Sequence, residues 1–383
     1  MNRLTLAFVP ALLGALLAQD PARSAGTALE GAFRGHLEAL REKRGWPGAG
    51  AAFVLPDGVV GAVAVGADGA GVVLTTASKL MSGSIGKTYC AAVALQLVAG
   101  KKLALDGKVQ DVLGKRGWYA RLPNGPDITL RQLLNHTSGI PEHVWKKEFQ
   151  DAVTKAGDRA IGPEECLGYV LGDPPLAAAG AKWSYADTNY VLVGLCIEQV
   201  AGRPFGEVLR ERILAPQKLA ETVWNDRRDL PGLACGLAGA IGFHTGPTVV
   251  DGKYFTNPAF EYCGGGISST TRDLARWTHA LFAGDVIPAA LQKEHRAGVP
   301  AGGGVPGDYG LGCFVVPSPL GTALGHSGVM PGFLSYALHY PELHATVAVQ
   351  FPTDDSRKVG NMKRLVDELA GLVKVALPVP VGR

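Results

Sequence analysis

Apolar positions in this chain repeat with two periods, and the period changes along its length. Leu29, Phe33, Leu37 and Leu40 recur at helical spacing with Glu, Arg and Lys between them, which predicts an amphipathic helix. Residues 51–55 and 59–65 are short apolar runs around Pro56-Asp57-Gly58 and read as a β-hairpin. Residues 72–76 read as another short strand. Residues 85–99 are almost wholly apolar and stop at Gly100, so a buried helix is expected there. Thr129 and Gln132 have capping-box spacing for a short helix reaching about Asn135, and Thr270 and Asp273 open another reaching about Phe282. Residues 189–200 form a further apolar helix ending near Gly202. Strand character returns at 322–326, 334–340 and 345–351, with Pro341-Glu342 at the last turn. A final amphipathic helix carries Val359, Met362, Leu365, Val366, Leu369 and Val373 on one face.

Strands therefore cluster at both ends and helices in the middle. The simplest architecture is an α/β (α+β) fold: one antiparallel sheet built from both ends of the chain, flanked by helices, with a mostly helical domain inserted. The expected division is an α/β domain of residues 27–110 and 265–383, a mostly helical domain of residues 111–264, and an active site between them.

Composition narrows the function classes. The 383 residues are 47% hydrophobic and 19% charged, which fits a globular chain and argues against disorder. Lys plus Arg is 37 against 34 for Asp plus Glu, a surplus too small to suggest nucleic acid as a partner. At the start, Met1-Asn2-Arg3 carries one positive charge, and residues 4–18 are apolar except for Thr5, Pro10 and Gly14. This is the pattern of a secretory leader, too short for a membrane span, with cleavage after Ala18 or nearer Ala25. A secreted or periplasmic protein, with no stable membrane span after cleavage, is expected; an uncleaved anchor is the alternative. No Cys closely follows the apolar run, so a lipoprotein anchor is not indicated. Cys90, Cys166, Cys196, Cys235, Cys263 and Cys313 are scattered with no Cys-x-x-Cys pair, which speaks against structural zinc. Export would permit disulfides, but their pairing cannot be read from spacing. Cys90 and Cys196 lie in apolar helical patterns and are expected to pack as small hydrophobes.

The strongest local chemical signal is Ser84-Ile85-Gly86-Lys87 at the start of the buried helix. A serine hydroxyl needs a neighbour to accept its proton, and residues i and i+3 share a helix face. The helix N-terminus adds a positive field where an oxyanion would form. Ser-x-x-Lys also occurs by chance as a cap followed by a solvated lysine, but Lys87 lies on a helix otherwise nearly free of charge and needs a buried partner. Residues 82–88 resemble a P-loop, yet Met81 stands where that loop needs Gly. Gly325-His326-Ser327-Gly328 resembles a nucleophile elbow, yet Val329 stands where that motif needs Gly. Tyr185-Ala186-Asp187 precedes an apolar helix, and a phenol there acts as a base only if cations depress its pKa. His326-Ser327-Gly328 closes a strand, where a polar side chain can face a cleft and Gly admits a substrate backbone. Each of the last two, alone, is an ordinary structural feature.

Taken in order, these elements resemble the serine β-lactamase and penicillin-binding superfamily, whose signature is Ser-x-x-Lys, Tyr-x-Asn and Lys-or-His-x-Gly. Residues 95–106, residues 128–140 with their Asn135-His136-Thr137-Ser138-Gly139 core, residues 183–190, residues 265–270 and residues 309–312 are also similar to stretches of its class C-like branch of D,D-carboxypeptidases, esterases and β-lactamases. The likeness runs from about Leu29 to Phe351. It implies a β-lactamase/transpeptidase-like fold, acylation of Ser84, and proton transfer shared by Lys87 and Tyr185. It further implies an oxyanion hole from the backbone N–H groups of Ser84 and Val329, contact of His326 with the leaving group or substrate carboxylate, and Gly328 along the substrate strand. No metal or organic cofactor is implied, and the partner is a small-molecule or peptide substrate.

Two positions depart from the pattern. Asp187 stands where the family usually has Asn; an ionised Asp offers no amide donor and would pair with Lys87 instead, leaving Tyr185 as the expected base. His326 stands where β-lactamases of this group generally carry Lys, and a neutral imidazole holds a carboxylate less strongly. Peptidase, amidase or esterase activity therefore ranks above strong β-lactamase activity. The reading from a different class is a catalytically silent protein that binds cell-wall peptide or a partner. Oligomeric state is not legible.

Overall fold

In the computed structural model, which describes residues 21–377, both ends of the chain meet in one eight-stranded antiparallel sheet. Its order is Val299–Pro300, Asp308–Tyr309, Phe314–Ser318, Gly321–Met330, Phe333–Tyr340, Ala345–Phe351, Gly48–Val54, Val60–Gly66. The expected leader at residues 1–18 lies outside the described residues; its alternative end near Ala25 falls within the helix Pro21–Arg44. Among the described residues, no helix is long and apolar enough to cross a membrane.

The central strands are covered on both faces, which is why they read as continuous apolar runs. Ala51 and Phe53 join Leu29, Phe33, Leu37, Leu365, Val366 and Leu369 on one face, the one held by the first and last long helices. Phe33 and Phe53 meet edge-on at 5.1 Å, and burying each such ring contributes roughly 1.5–3 kcal/mol. Ala52, Ala337 and Ala348 face the other way, toward Leu274 and Ala275 of the helix Thr271–Ala283. Small side chains on that face let this helix lie close to the sheet. The larger core gathers the helix Gly86–Ala99, the helix Asp187–Ala201 and the elements between them. Tyr89 stacks on Trp277 at 4.1 Å, and the Trp277 Nε1 donates to Thr88 Oγ1 at 2.7 Å.

Local chemistry explains the boundaries. Thr129 and Gln132 form the full reciprocal capping box. Thr270 caps its helix by accepting from the Asp273 N–H, but the Asp273 carboxylate turns away to the Glu221 N–H and the Thr222 hydroxyl. The strand expected at 72–76 does not form: Val73 makes only an isolated bridge to Ala67. The Asp68 carboxylate accepts the N–H groups of Ala70, Val72 and Cys235, which folds this segment into a tight turn. The strand expected to close at His326 runs on to Met330, because Gly328 breaks the apolar pattern without breaking the strand. All six cysteines are free and buried, Cys90 and Cys196 among them.

Candidate active site

The site is assembled where the strand Lys79–Met81 turns into the helix Gly86–Ala99. Ser82 is pinned in that turn: its N–H donates to Ile267 O at 2.8 Å, and its carbonyl accepts from Ser335 Oγ at 2.6 Å. Gly83 follows at φ +52°, a left-handed conformation that favours glycine, and begins the 3-10 turn Gly83–Ile85 that presents Ser84. A Cβ at Gly83 would fall 2.6 Å from the amide nitrogen of Val329, so the strand Gly321–Met330 lies directly against the nucleophile turn. A Cβ at Gly328 would collide with the Ser82 carbonyl oxygen and with Ser335 Oγ. Gly328 thus allows the close approach of strand and turn. Gly328→Ala is expected to push Ser84 away from Val329 and lower kcat/KM for an activated ester about 10²-fold, since a shift near 1 Å has that cost. Ester kinetics run beside a thermal melt check it; undiminished kcat/KM in a folded variant would refute the packing argument.

Lys87 is wholly buried, and its Nζ has three acceptors. It donates to Ser84 Oγ at 3.0 Å and to Gly264 O at 2.7 Å, and it pairs with Asp187 Oδ1. These use all three N–H bonds of an ammonium. The ammonium also lies 4.9 Å from the centre of the Tyr185 ring and 5.6 Å from that of Tyr190. The Tyr185 hydroxyl lies beside the Ser84 side chain. Ser84 and Lys87, and Tyr185 and Asp187, from two separate stretches of sequence, therefore share one site.

Two residues differ from expectation, Tyr185 in its charge state and His326 in its placement. Burial, and then the Asp187 charge, hold the Tyr185 phenol well above its usual range. It is a neutral hydroxyl and not a standing base, because burial strips water from the phenolate and the nearby carboxyls outnumber the one lysine. His326, expected to face substrate, lies mid-strand and only 2% exposed. Its Nδ1–H donates to Ser327 O at 2.5 Å, so its Nε2 accepts from the Tyr309 hydroxyl at 2.9 Å. Burial, and then Lys87, push its pKa down to about 3, so at neutral pH it is an uncharged ring with both nitrogens engaged.

Burial, and then the nearby Glu142 charge, raise the Asp187 carboxyl, against the pull of Lys87. Glu142 is a neighbour that sequence reasoning missed. Its Oε2 accepts from the Asp187 N–H at 2.5 Å and its Oε1 from the Val144 N–H at 3.0 Å. Burial raises this carboxyl, but hydrogen bonding with His143 and the backbone outweighs it and leaves the pKa below its usual range. His136, at φ +60°, was missed as well. Its carbonyl accepts from the Ser184 N–H at 2.8 Å and its Nδ1 from the Ala186 N–H at 3.2 Å, holding Tyr185 from both sides. Its ring lies 4.2 Å from that of Tyr185. The signal for His136 lay within residues 128–140, whose likeness marks a region without showing which side chains face the site, and Glu142 lies two residues beyond it.

Comparison with known proteins gives the family and the fold. The sequence model of the beta-lactamase family matches residues 33–371. Penicillin-binding protein 4 of Amycolatopsis lactamdurans is 28% identical over 360 residues, covering 88% of this chain and 89% of that protein. Penicillin-binding protein 4* of Bacillus subtilis is 30% identical over 241 residues, and the match spans only 52% of its length. A D-stereospecific amidohydrolase from Streptomyces sp. is 29% identical with a TM-score of 0.71, covering 89% of this chain and 97% of that one. The D-amino acid amidase of Ochrobactrum anthropi SV3 shares the fold with a TM-score of 0.77 at 22% identity over 91% of this chain and 99% of that one. With the match running through nearly the whole chain, the protein belongs to the beta-lactamase family.

Proposed function

We propose that the protein is an amidohydrolase of D-configured amides or short peptides, working through an acyl-enzyme on Ser84. The observation that carries the reading is the buried Lys87 Nζ, 3.0 Å from Ser84 Oγ and paired with Asp187. When substrate excludes water, the ion pair passes one proton from Lys87 to Asp187, whose carboxyl is already raised. The Lys87 amine then takes the Ser84 proton as Oγ bonds to the carbonyl carbon, with Val329 and Ser84 N–H groups facing the oxyanion. The departing nitrogen takes a proton through the Tyr185 hydroxyl, which Lys87 replenishes. Water then attacks the ester, with the same groups acting in reverse.

His326 favours an amide or amino acid ester over a carboxypeptidase substrate or a β-lactam. A neutral ring occupied by Tyr309 and the Ser327 carbonyl offers no fixed cation for a substrate carboxylate. The likeness to the Streptomyces amidohydrolase supports the D configuration. Hydrolysis of D- and L-phenylalanine amide, a D-Ala-D-Ala peptide and benzylpenicillin tests the reading. The D-amide is expected to exceed its L-isomer by roughly 10²-fold and to exceed the peptide and the penicillin. Faster turnover of penicillin than of every amide would refute it. The apolar pattern of residues 4–18 supports export, and N-terminal sequencing of the protein recovered outside the cytoplasm checks this; a retained Met1 would count against cleavage.

A further inference from the structure

Glu261 has no part in any motif, yet the fold aims it at the Lys87–Asp187 pair. It closes the 3-10 turn Pro258–Glu261, which Asn257 caps by accepting from the Ala259 N–H at 3.0 Å. The next residue, Tyr262, holds φ +40°, a strained conformation for an aromatic side chain. Its ring is wedged against Gly194 of the helix Asp187–Ala201, where a Cβ would strike it. This braced turn lays the Glu261 carboxyl over Gly265, where a Cβ would fall 2.5 Å from Oε2. The adjoining Gly264 carbonyl is the one that accepts from Lys87 Nζ at 2.7 Å. Asp187 Oδ1 lies 3.4 Å from the place a Gly264 Cβ would take. Three ionisable groups thus meet along a ledge of two glycines.

Among the described residues none forms a hydrogen bond or ion pair with this carboxyl that would favour its charge. The ionisable groups facing it are Asp187, Lys87, Glu142 and Tyr185 on the active-site side, with Tyr254 and Cys166 behind. Lys87 is the one cation among them.

We propose that Glu261 is a positioning residue for the proton on Lys87, acting by charge across the Gly264–Gly265 ledge. While Glu261 carries its own proton, the Lys87–Asp187 pair can pass a proton and free the Lys87 amine. Once Glu261 ionises, the added negative charge holds Lys87 as an ammonium and opposes the oxyanion on the substrate. Both effects slow acylation. Burial, and then the Asp187 charge, push the Glu261 pKa up to about 8, so this brake engages just above neutrality.

The inference rests on the Ser84 acyl-enzyme reading, and one experiment separates the two. The pH dependence of kcat/KM for a nitrophenyl ester, whose leaving group needs no proton, is measured for wild type, Glu261→Gln and Asp187→Asn, with a Ser84→Ala blank subtracted. Wild type is expected to lose activity above about pH 8, where the Glu261 proton leaves. Glu261→Gln is expected to move that limb up by at least one pH unit, a change that a merely structural role would not produce. Asp187→Asn removes the nearest negative neighbour and is expected to move the limb down. An unmoved limb in folded Glu261→Gln overturns the inference. Should Glu261→Gln fail to fold, an unmoved limb in Asp187→Asn overturns it. A wild type that forms no Ser84 adduct overturns both this inference and the acyl-enzyme reading.

Discussion

Ser84→Ala is expected to lower turnover of amides and esters by about 10⁴–10⁶-fold, the loss found when a nucleophilic serine is removed from a serine hydrolase. The fold should survive the change. Ser84 is held by a turn whose anchors are Ser82, Gly83 and Ser335, and its own side chain accepts from Lys87 Nζ beside Tyr185. The Lys87 ammonium would lose one of three acceptors and keep Gly264 O and Asp187. Turnover measured beside a thermal melt separates loss of chemistry from loss of structure. Near wild-type turnover in a folded Ser84→Ala protein would exclude Ser84 as the nucleophile.

Lys87→Met is the second large effect, and it has two parts. Losing the proton acceptor should lower acylation by about 10²–10⁴-fold. Losing the cation also leaves Asp187 without its partner beside Glu142. Breaking a buried pair this way costs about 3–5 kcal/mol, and the 18% exposure of the Asp187 side chain places the expected loss at the lower end or below. The sign of the pH dependence follows from Asp187. Its folded pKa already lies above the ordinary carboxylate value and rises further once Lys87 is gone. The folded variant then holds a proton that the unfolded chain releases. Its stability is greatest below the unfolded carboxylate pKa and falls as pH rises through the folded one. Thermal melts at pH 5 and pH 8 should show the larger drop at pH 8. Adding Asp187→Asn should recover stability without recovering activity. A drop that is equal at both pH values, or no recovery in the double variant, would show that the pair does not carry this energy.

The sequence made legible what lies close along the chain. Ser84 and Lys87 stood out because a lysine three residues from a serine, inside a charge-free helix, needs a buried partner. The sheet built from both chain ends followed from where the period-two runs fell. What was hidden depends on through-space contacts. Glu142 and His136 from loops, and Glu261 from a short 3-10 turn, reach the site from segments that carry no periodic signal. Glu261 is aimed by a strained backbone at Tyr262 that composition does not disclose. The charge state of Tyr185 is not legible in the sequence, which supplies its cation but gives no sign of its burial or of the neighbouring carboxyls. His326 looked like a strand end open to substrate, while the strand runs on and Tyr309 takes the free ring nitrogen.

The most direct test of the central claim is intact mass spectrometry of the protein quenched in acid during turnover of a D-phenylalanine ester, followed by peptide mapping. One added acyl group per chain is expected, located on Ser84 and absent from Ser84→Ala. An adduct on any other residue, or rapid turnover that never leaves a covalent species even when deacylation is slowed by low temperature and low pH, would contradict it.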